Sequence, residues 1–228
     1  MLVSKEYSEN LMRFHTMDGV KAMVLYGICL LICFIQGWTY TTNLSAWILN
    51  NLQTVFPFVL LIIGIVFIVG SKEKICTVGL TRIKLVPSLL WGILLAVCFV
   101  TGMAIYFRVV EHVSVGIVYP GFSMLGIFVI GAIQEEIMFR GYIRTRLTGM
   151  IKQPVICSFC VALLFLAMHY PTHWVAAGFS LRILSLYYVV SLIILHFVCD
   201  FVYKRTNCLW GAITLHFLYN AGQSMLVV

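Results

Sequence analysis

The chain has 228 residues, of which 62% are hydrophobic and 10% charged, and its mean hydropathy is +1.02. A soluble domain is about half apolar and about a quarter charged, so this composition excludes an ordinary soluble domain and indicates an integral membrane protein. The formal net charge of +7 does not indicate a nucleic-acid partner, because the basic residues fall in short loops between apolar segments.

Seven apolar segments are predicted to cross the bilayer, which takes about 20 mainly apolar residues per helix. They cover residues 22–40, 52–70, 86–106, 121–139, 153–169, 183–203 and 207–227. The helix of the fourth span is predicted to continue past Arg140 to Leu147. The sequence therefore predicts an all-α fold, a polytopic transmembrane helical bundle with about seven spans. Residues 1–21 form a cytoplasmic N-terminal segment, and 22–228 form a single transmembrane domain with its candidate catalytic motifs within 121–228.

Lysines and arginines are distributed unequally between the two sides of these spans. All but two of the 15 lie in the N-terminal segment and in the segments after spans two, four and six. The two exceptions are Arg108 and Arg182. The positive-inside rule therefore predicts a multi-pass protein of the cell membrane, with its N-terminus in the cytoplasm and its C-terminus outside.

Span four contains two adjacent carboxylates, Glu135 and Glu136, in a chain with only eight acidic residues. A charge at bilayer depth costs at least about 2.5 kcal/mol, so such a pair is by default a functional-site hypothesis. Glu136 and Arg140 are one helical turn apart and are predicted to form an ion pair. Glu135 is rotated from Glu136 by about 100° and faces a different partner. The alternative is that these charges end the span near the headgroups, with Arg140 snorkelling.

Two further spans carry polar side chains that face other helices. His169 closes span five, and Pro171 is predicted to break that helix before His173. In span seven, His216 and Asn220 are four residues apart and share one face of the helix. Hydrogen bonding between helices is the alternative explanation for this pair.

Span six has a histidine, an aspartate and a lysine at successive one-turn intervals, namely His196, Asp200 and Lys204. They approach the basic turn that follows the span. Asp200 is therefore predicted to pair with Lys204 at the membrane interface. His196 is a second-tier candidate for the site.

Most known solutions to hydrolysis within a membrane do not fit this sequence. The zinc-protease motif HExxH is absent, as are the serine motifs GxSG and GxSxG. An aspartyl dyad would need Asp18 and Asp200, and only Asp200 lies in a predicted span. What remains is a glutamate and a histidine that share a water and remove its proton as it attacks a carbonyl. An imidazole and an amide on one helix face, His216 and Asn220, would then stabilise the oxyanion.

Three motifs in order carry a resemblance to a known family: EExxxR at 135–140, FxxxH at 165–169 and HxxxN at 216–220. Over about 121–228 the chain resembles the CPBP family, which comprises CAAX-processing proteases and bacteriocin-processing or self-immunity proteins, also called the Abi family. No motif position departs from the pattern.

The resemblance implies a membrane-embedded peptidase on a helical bundle. It implies that Glu135 and His169 activate the water and that His216 and Asn220 form the oxyanion hole. Glu136 and Arg140 would support the site. We expect no cofactor, and we expect the lipid bilayer and a peptide or protein substrate at the membrane as partners. For a compact chain such as this one the resemblance favours a peptide precursor or leader over a prenylated CAAX tail.

Two other functions stay open at the level of sequence. One is a metal-dependent protease that uses zinc, because carboxylate and imidazole suit that ion. Its ligands would be Glu135, Glu136, His169 and His216. The other is a non-catalytic bacteriocin self-immunity or scaffold protein, which would not need Glu135 for its role.

Overall fold

The computed structural model describes residues 3–180 and 185–227, so Arg182 lies outside the described residues. The helices are α1 Lys5–Leu11, α2 Thr16–Thr39, α3 Ala46–Gly70, α4 Leu85–Val109, α5 Phe122–Glu136, α6 Arg144–Leu147, α7 Pro154–Ala176, α8 Leu186–Thr206 and α9 Trp210–Met225. A 3₁₀ turn covers Ile75–Val78, and a π-helical segment, Ile137–Ile143, joins α5 to α6. Strand β1, Gly116–Ile117, pairs antiparallel with β2, Leu226–Val227. The predicted fold class, an all-α helical membrane bundle, is confirmed.

Within the described ranges, six helices are long and apolar enough to cross a membrane. The predicted seventh span corresponds to α9, which has 16 residues and falls short of the roughly 20 that a full crossing takes. The apolar pattern overestimated its length because Leu226 belongs to β2 and Leu209 precedes the helix. Helix α9 packs against α4, α5 and α8 and lies inside the bundle.

Two glycines set the position of α9 against α4. A Cβ on Gly211 would collide with the carbonyl oxygen of Ser88, and a Cβ on Gly92 would collide with the carbonyl oxygen of Gly211. The Ser88 hydroxyl also accepts a hydrogen bond of 3.0 Å from the Gly211 amide. Small residues let membrane helices approach backbone to backbone. This contact therefore fixes α9, and with it His216.

The helix that begins at Phe122 continues to Leu147, as predicted, but its middle is not α-helical. All seven residues of the π-helical segment are buried. A π segment places one extra residue in each turn, and such segments occur frequently at functional sites. The extra residue turns the side chains after the segment away from their α-helical directions, which a count of 3.6 residues per turn could not predict.

The prediction that Pro171 breaks its helix is wrong, because α7 runs through Pro171 to Ala176. Pro171 removes one backbone donor, but the surrounding turn is held by α2. The hydroxyl of Thr172 donates to the carbonyl oxygen of Cys33 at 3.1 Å. A Cβ on Gly37 of α2 would lie 2.9 Å from the carbonyl oxygens of Pro171 and Thr172, so glycine permits this close packing.

Three arginines assigned from the sequence to a cytoplasmic segment are instead fully buried, each facing a carboxylate. The pairs are Arg140 with Glu136, Arg144 with Asp200, and Arg146 with Glu73. The sequence does not predict this burial, because positive charges at the end of a span usually lie at the interface. In the bundle the three arginines compensate carboxylates of the protein itself.

The predicted ion pair between Asp200 and Lys204 is present, but its environment differs from the prediction. Asp200 is only 1% exposed, and its Oδ1 also lies 3.6 Å from Nε of Arg144. The Ser158 hydroxyl donates to its other oxygen. The carboxylate thus lies within the bundle, where a second cation and a hydroxyl satisfy it.

Candidate active site

Glu136 is the last residue of α5, and its carboxylate is completely buried. The ion pair predicted from helical spacing is present, since Nη1 of Arg140 donates to Oε1 of Glu136 at 2.9 Å. The same oxygen lies 2.8 Å from Nδ1 of His216 on α9. A buried carboxylate is tolerated only when paired and hydrogen-bonded. Glu136 therefore fixes both the guanidinium of Arg140 and the imidazole of His216.

Glu135 faces a different direction from Glu136, as the helical geometry predicts. Its Oε2 lies 3.8 Å from Nε2 of His169 on α7 and 3.8 Å from Nε2 of His216. The Glu135 side chain is 19% exposed, and Oε2 is buried and makes no hydrogen bond within the described structure. Histidines from α7 and α9 thus lie at the same distance from one carboxylate oxygen on α5.

The hydrogen bonds of the two imidazoles indicate which ring nitrogens are bases. Nδ1 of His169 lies 2.8 Å from the carbonyl oxygen of Phe165. A carbonyl oxygen only accepts, so Nδ1 carries the proton and Nε2 of the neutral ring has a free lone pair. Nδ1 of His216 donates in the same way to Glu136, which is ion-paired and therefore an acceptor. Both Nε2 atoms face Glu135.

The gap at Glu135 suits a single shared water. Atoms 3.8 Å apart are too distant for a direct hydrogen bond, but both can contact one water at about 2.8 Å, with an angle of roughly 85° at its oxygen. A carboxylate oxygen and a neutral Nε2 are both acceptors, so the water can donate one proton to each. This is the arrangement that general-base activation of water requires.

Phe165 lies at the centre of the cluster. The guanidinium of Arg140 stands 4.4 Å from the centre of its ring, and the His169 ring meets it edge-on at 4.9 Å between centroids. The ring of His216 lies 6.2 Å away. The first residue of the FxxxH motif therefore packs against the guanidinium and both imidazoles, and its carbonyl oxygen accepts a hydrogen bond from Nδ1 of His169.

Replacing Phe165 by leucine is expected to lower kcat by roughly tenfold and the free energy of unfolding by about 1–2 kcal/mol, since a desolvated cation–π contact is worth about 2 kcal/mol. Phe159→Leu on the same helix is the matched control, because Phe159 is 55% exposed and contacts Phe197 instead. Activity assays and chemical unfolding of both variants measure the difference. Equal behaviour of the two variants would contradict this role for Phe165.

Asn220 follows His216 by one turn of α9 and is half-buried. In the part of the chain that is described, its amide makes no hydrogen bond. The structure thus places Asn220 one turn from His216 on α9, without a hydrogen bond to any described residue. A free amide NH₂ there can donate to a negatively charged oxygen.

Tyr188 of α8 is a neighbour of the site that the sequence did not indicate. Its ring meets His169 at 6.4 Å and His173 at 6.2 Å between centroids, in both cases edge-on. No signal in the sequence distinguishes Tyr188 from the other aromatic residues of span six. The second-tier candidate His196 is completely buried and lies 5.9 Å from the Phe165 ring.

The four residues considered as metal ligands do not surround one point. The two ring nitrogens of His216 face different carboxylates, Nδ1 that of Glu136 and Nε2 that of Glu135. Oε1 of Glu136 is also held by Arg140. Among the residues that the structure describes, no group of three or more His, Cys, Asp and Glu side chains is arranged to hold a metal ion.

Comparison with known proteins places the cluster in a family context. Residues 117–222 match the family described as Rce1-like, the type II CAAX prenyl endopeptidases. The matched range includes all six candidate residues, from Glu135 to Asn220. No curated protein and no solved structure matches the chain. The family match confirms the resemblance predicted from the three motifs and supports, at the level of the family, a CAAX-type membrane protease.

Proposed function

With the Rce1-like match over residues 117–222 as the premise, we propose that this chain is an intramembrane endopeptidase that hydrolyses a peptide bond of a membrane-associated substrate with an activated water. One observation carries this proposal. Oε2 of Glu135 lies 3.8 Å from Nε2 of both His169 and His216, within reach of a single water.

In the proposed first step, a water held between Glu135 and His169 attacks the carbonyl carbon of the scissile bond. Its proton passes to one of these two bases as the carbon–oxygen bond forms. The carbonyl oxygen becomes an oxyanion. In the second step, the carbon–nitrogen bond breaks and the same base returns the proton to the leaving amine.

The oxyanion is proposed to bind at α9. The amide of Asn220 donates directly, and His216 donates through Nε2 when its ring is protonated at both nitrogens. Glu136 and Arg140 act as positioning residues, since Glu136 holds Nδ1 of His216. Removing one oxyanion donor typically costs a factor of about 10²–10³ in kcat.

The substrate is proposed to be a peptide precursor or leader at the membrane, with a prenylated C-terminal tail as the other candidate because the family description names prenyl endopeptidases. The N-terminus is proposed to be cytoplasmic, with the C-terminus outside in the cell membrane. Five exposed lysines at the end of the bundle that holds α1 support this orientation even without the three buried arginines. They are Lys5, Lys21, Lys72, Lys74 and Lys152.

The test is cleavage of two membrane-anchored peptides, one with and one without a prenylated C-terminal cysteine, by the purified chain in lipid vesicles. We expect a single internal cleavage of at least one peptide, resolved by mass spectrometry, and its loss in His169→Ala. His112→Asn, an exposed histidine after α4, is the control and should stay active. Uncleaved peptides, or equal cleavage by His169→Ala, would contradict the proposal.

The same assay distinguishes hydrolysis by a water that the protein alone activates from hydrolysis by a metal-bound water. Activity that persists after exhaustive dialysis against a chelator would support the Glu135–His169 mechanism. Activity that disappears on dialysis and returns with zinc would favour the metal-dependent alternative.

A further inference from the structure

A second polar feature lies at the end of the bundle where the exposed lysines collect. A pocket of about 750 Å³ opens between α1, the end of α6, the start of α7 and the end of α8. Its cations are Arg144, Lys152 and Lys204, and its apolar walls include Leu11, Met12 and Val155. We call this feature the basic pocket.

The three cations of the basic pocket are only partly neutralised. Arg144 and Lys204 share one carboxylate, Asp200, which lies behind the pocket rather than in its wall. Lys152 is exposed and forms no ion pair with any described residue. No aspartate or glutamate lines the pocket among the described residues. Three positive charges therefore face one negative charge.

The floor of the basic pocket is formed by a buried guanidinium group. Arg144 is completely buried, and its Nη1 and Nη2 donate to Cys157 Sγ and to the Pro154 carbonyl at 3.4 and 3.2 Å. Its Nε faces Oδ1 of Asp200 at 3.6 Å, and Asp200 is shared with Lys204. The charge of Arg144 is therefore only partly compensated, and an anion in the pocket would compensate it further.

We propose that the basic pocket binds the phosphate-bearing headgroup of an anionic phospholipid, with its acyl chains along the apolar walls. Charge complementarity requires an anion, and the apolar walls beside the cations suit a ligand that is part lipid. Basic pockets between membrane helices are known to take such headgroups. The site is separate from Glu135 and does not depend on the proposed function.

Binding here would also hold the N-terminal helix in place. The backbone amide of Ser4 donates to the carbonyl oxygen of Lys204 at 2.8 Å, and Tyr7 packs edge-on against Tyr203 at 5.2 Å between centroids. Both contacts join α1 to α8 beside the pocket. A headgroup that contacts Lys152, just before α7, and Lys204 on α8 therefore lies directly beside the contacts that hold α1.

The test measures lipids retained by the purified full chain in native mass spectrometry, with phosphatidylglycerol and phosphatidylcholine of identical acyl chains as probes. We expect phosphatidylglycerol to bind more tightly and Lys152→Gln to weaken it by about fivefold, the factor for one lysine near an anionic headgroup. Lys74→Gln, an exposed lysine at the same end of the bundle, makes the same charge change outside the pocket and should leave binding unchanged.

Three results would overturn the proposal. Equal retention of both lipids would show that the headgroup charge is not recognised. Equal weakening by Lys74→Gln would show a diffuse charge effect rather than a site. Displacement of phosphatidylglycerol by millimolar inorganic phosphate would identify a free anion as the ligand.

Discussion

Glu135→Gln is expected to lower kcat by a factor of about 10²–10⁴, the usual contribution of a positioned general base. Glutamine has the shape of glutamate, but its amide cannot take a proton from water. Its NH₂ would moreover face the Nε2 atoms of His169 and His216, 3.8 Å from the present oxygen. The variant should fold normally, because Oε2 of Glu135 makes no hydrogen bond within the described structure.

The measurement is single-turnover cleavage of the membrane peptide, with thermal unfolding as the check on folding. Glu111→Gln is the matched control, since Glu111 is exposed just after α4 and its side chain bonds only to Tyr106 among the described side chains. Full activity of Glu135→Gln would contradict a catalytic role. A cellular role that survives in this variant while cleavage is lost would favour the immunity or scaffold alternative.

Arg140→Leu is expected to lower the free energy of unfolding by about 3–5 kcal/mol, because it leaves the carboxylate of Glu136 buried without its cation. Chemical unfolding in detergent measures the change. Arg108→Leu, at an exposed position of α4, is the control and should change stability by less than about 0.5 kcal/mol. Equal losses in the two variants would contradict the role of Arg140 as a buried counterion.

The double variant Glu136→Gln/Arg140→Leu separates stability from positioning. Removing both charges together should restore most of the lost stability, since a buried ion pair contributes little beyond its own desolvation. Activity should stay low, because Nδ1 of His216 loses the carboxylate that holds it at 2.8 Å. Recovery of both stability and activity would show that Glu136 does not position His216.

The sequence predicted contacts within one helix more successfully than contacts between helices. Glu136 and Arg140 are one turn apart, so their pairing follows from helical geometry alone. The division between Glu135 and Glu136 follows from the same geometry. The contact between Glu136 and Nδ1 of His216 joins residues 80 positions apart, and no spacing within a helix indicates it.

Two features of the chain depart from local rules, and both have the same physical cause. Local rules predict that Pro171 breaks its helix, and they do not predict that the arginines after Phe139 are buried. In the folded chain, packing against α2 keeps the helix intact through Pro171. Asp200 on α8 compensates Arg144, and Glu73, in the connection after α3, compensates Arg146. In both cases contacts with other parts of the chain override the conformation or the exposure that the local sequence favours.

The sequence by itself determined that the chain is a helical membrane bundle, because hydropathy alone decides which segments can enter lipid. It also predicted the six candidate side chains, and their catalytic roles stay predictions. Only the tertiary structure decided that His169 and His216, on two other helices, each lie 3.8 Å from Glu135. Two further features are visible only in the structure: the π-helical segment directly after Glu136, and the short α9 that packs against α4 through Gly92 and Gly211. These features depend on how the helices pack, and the periodicity of one helix carries no information about its neighbours.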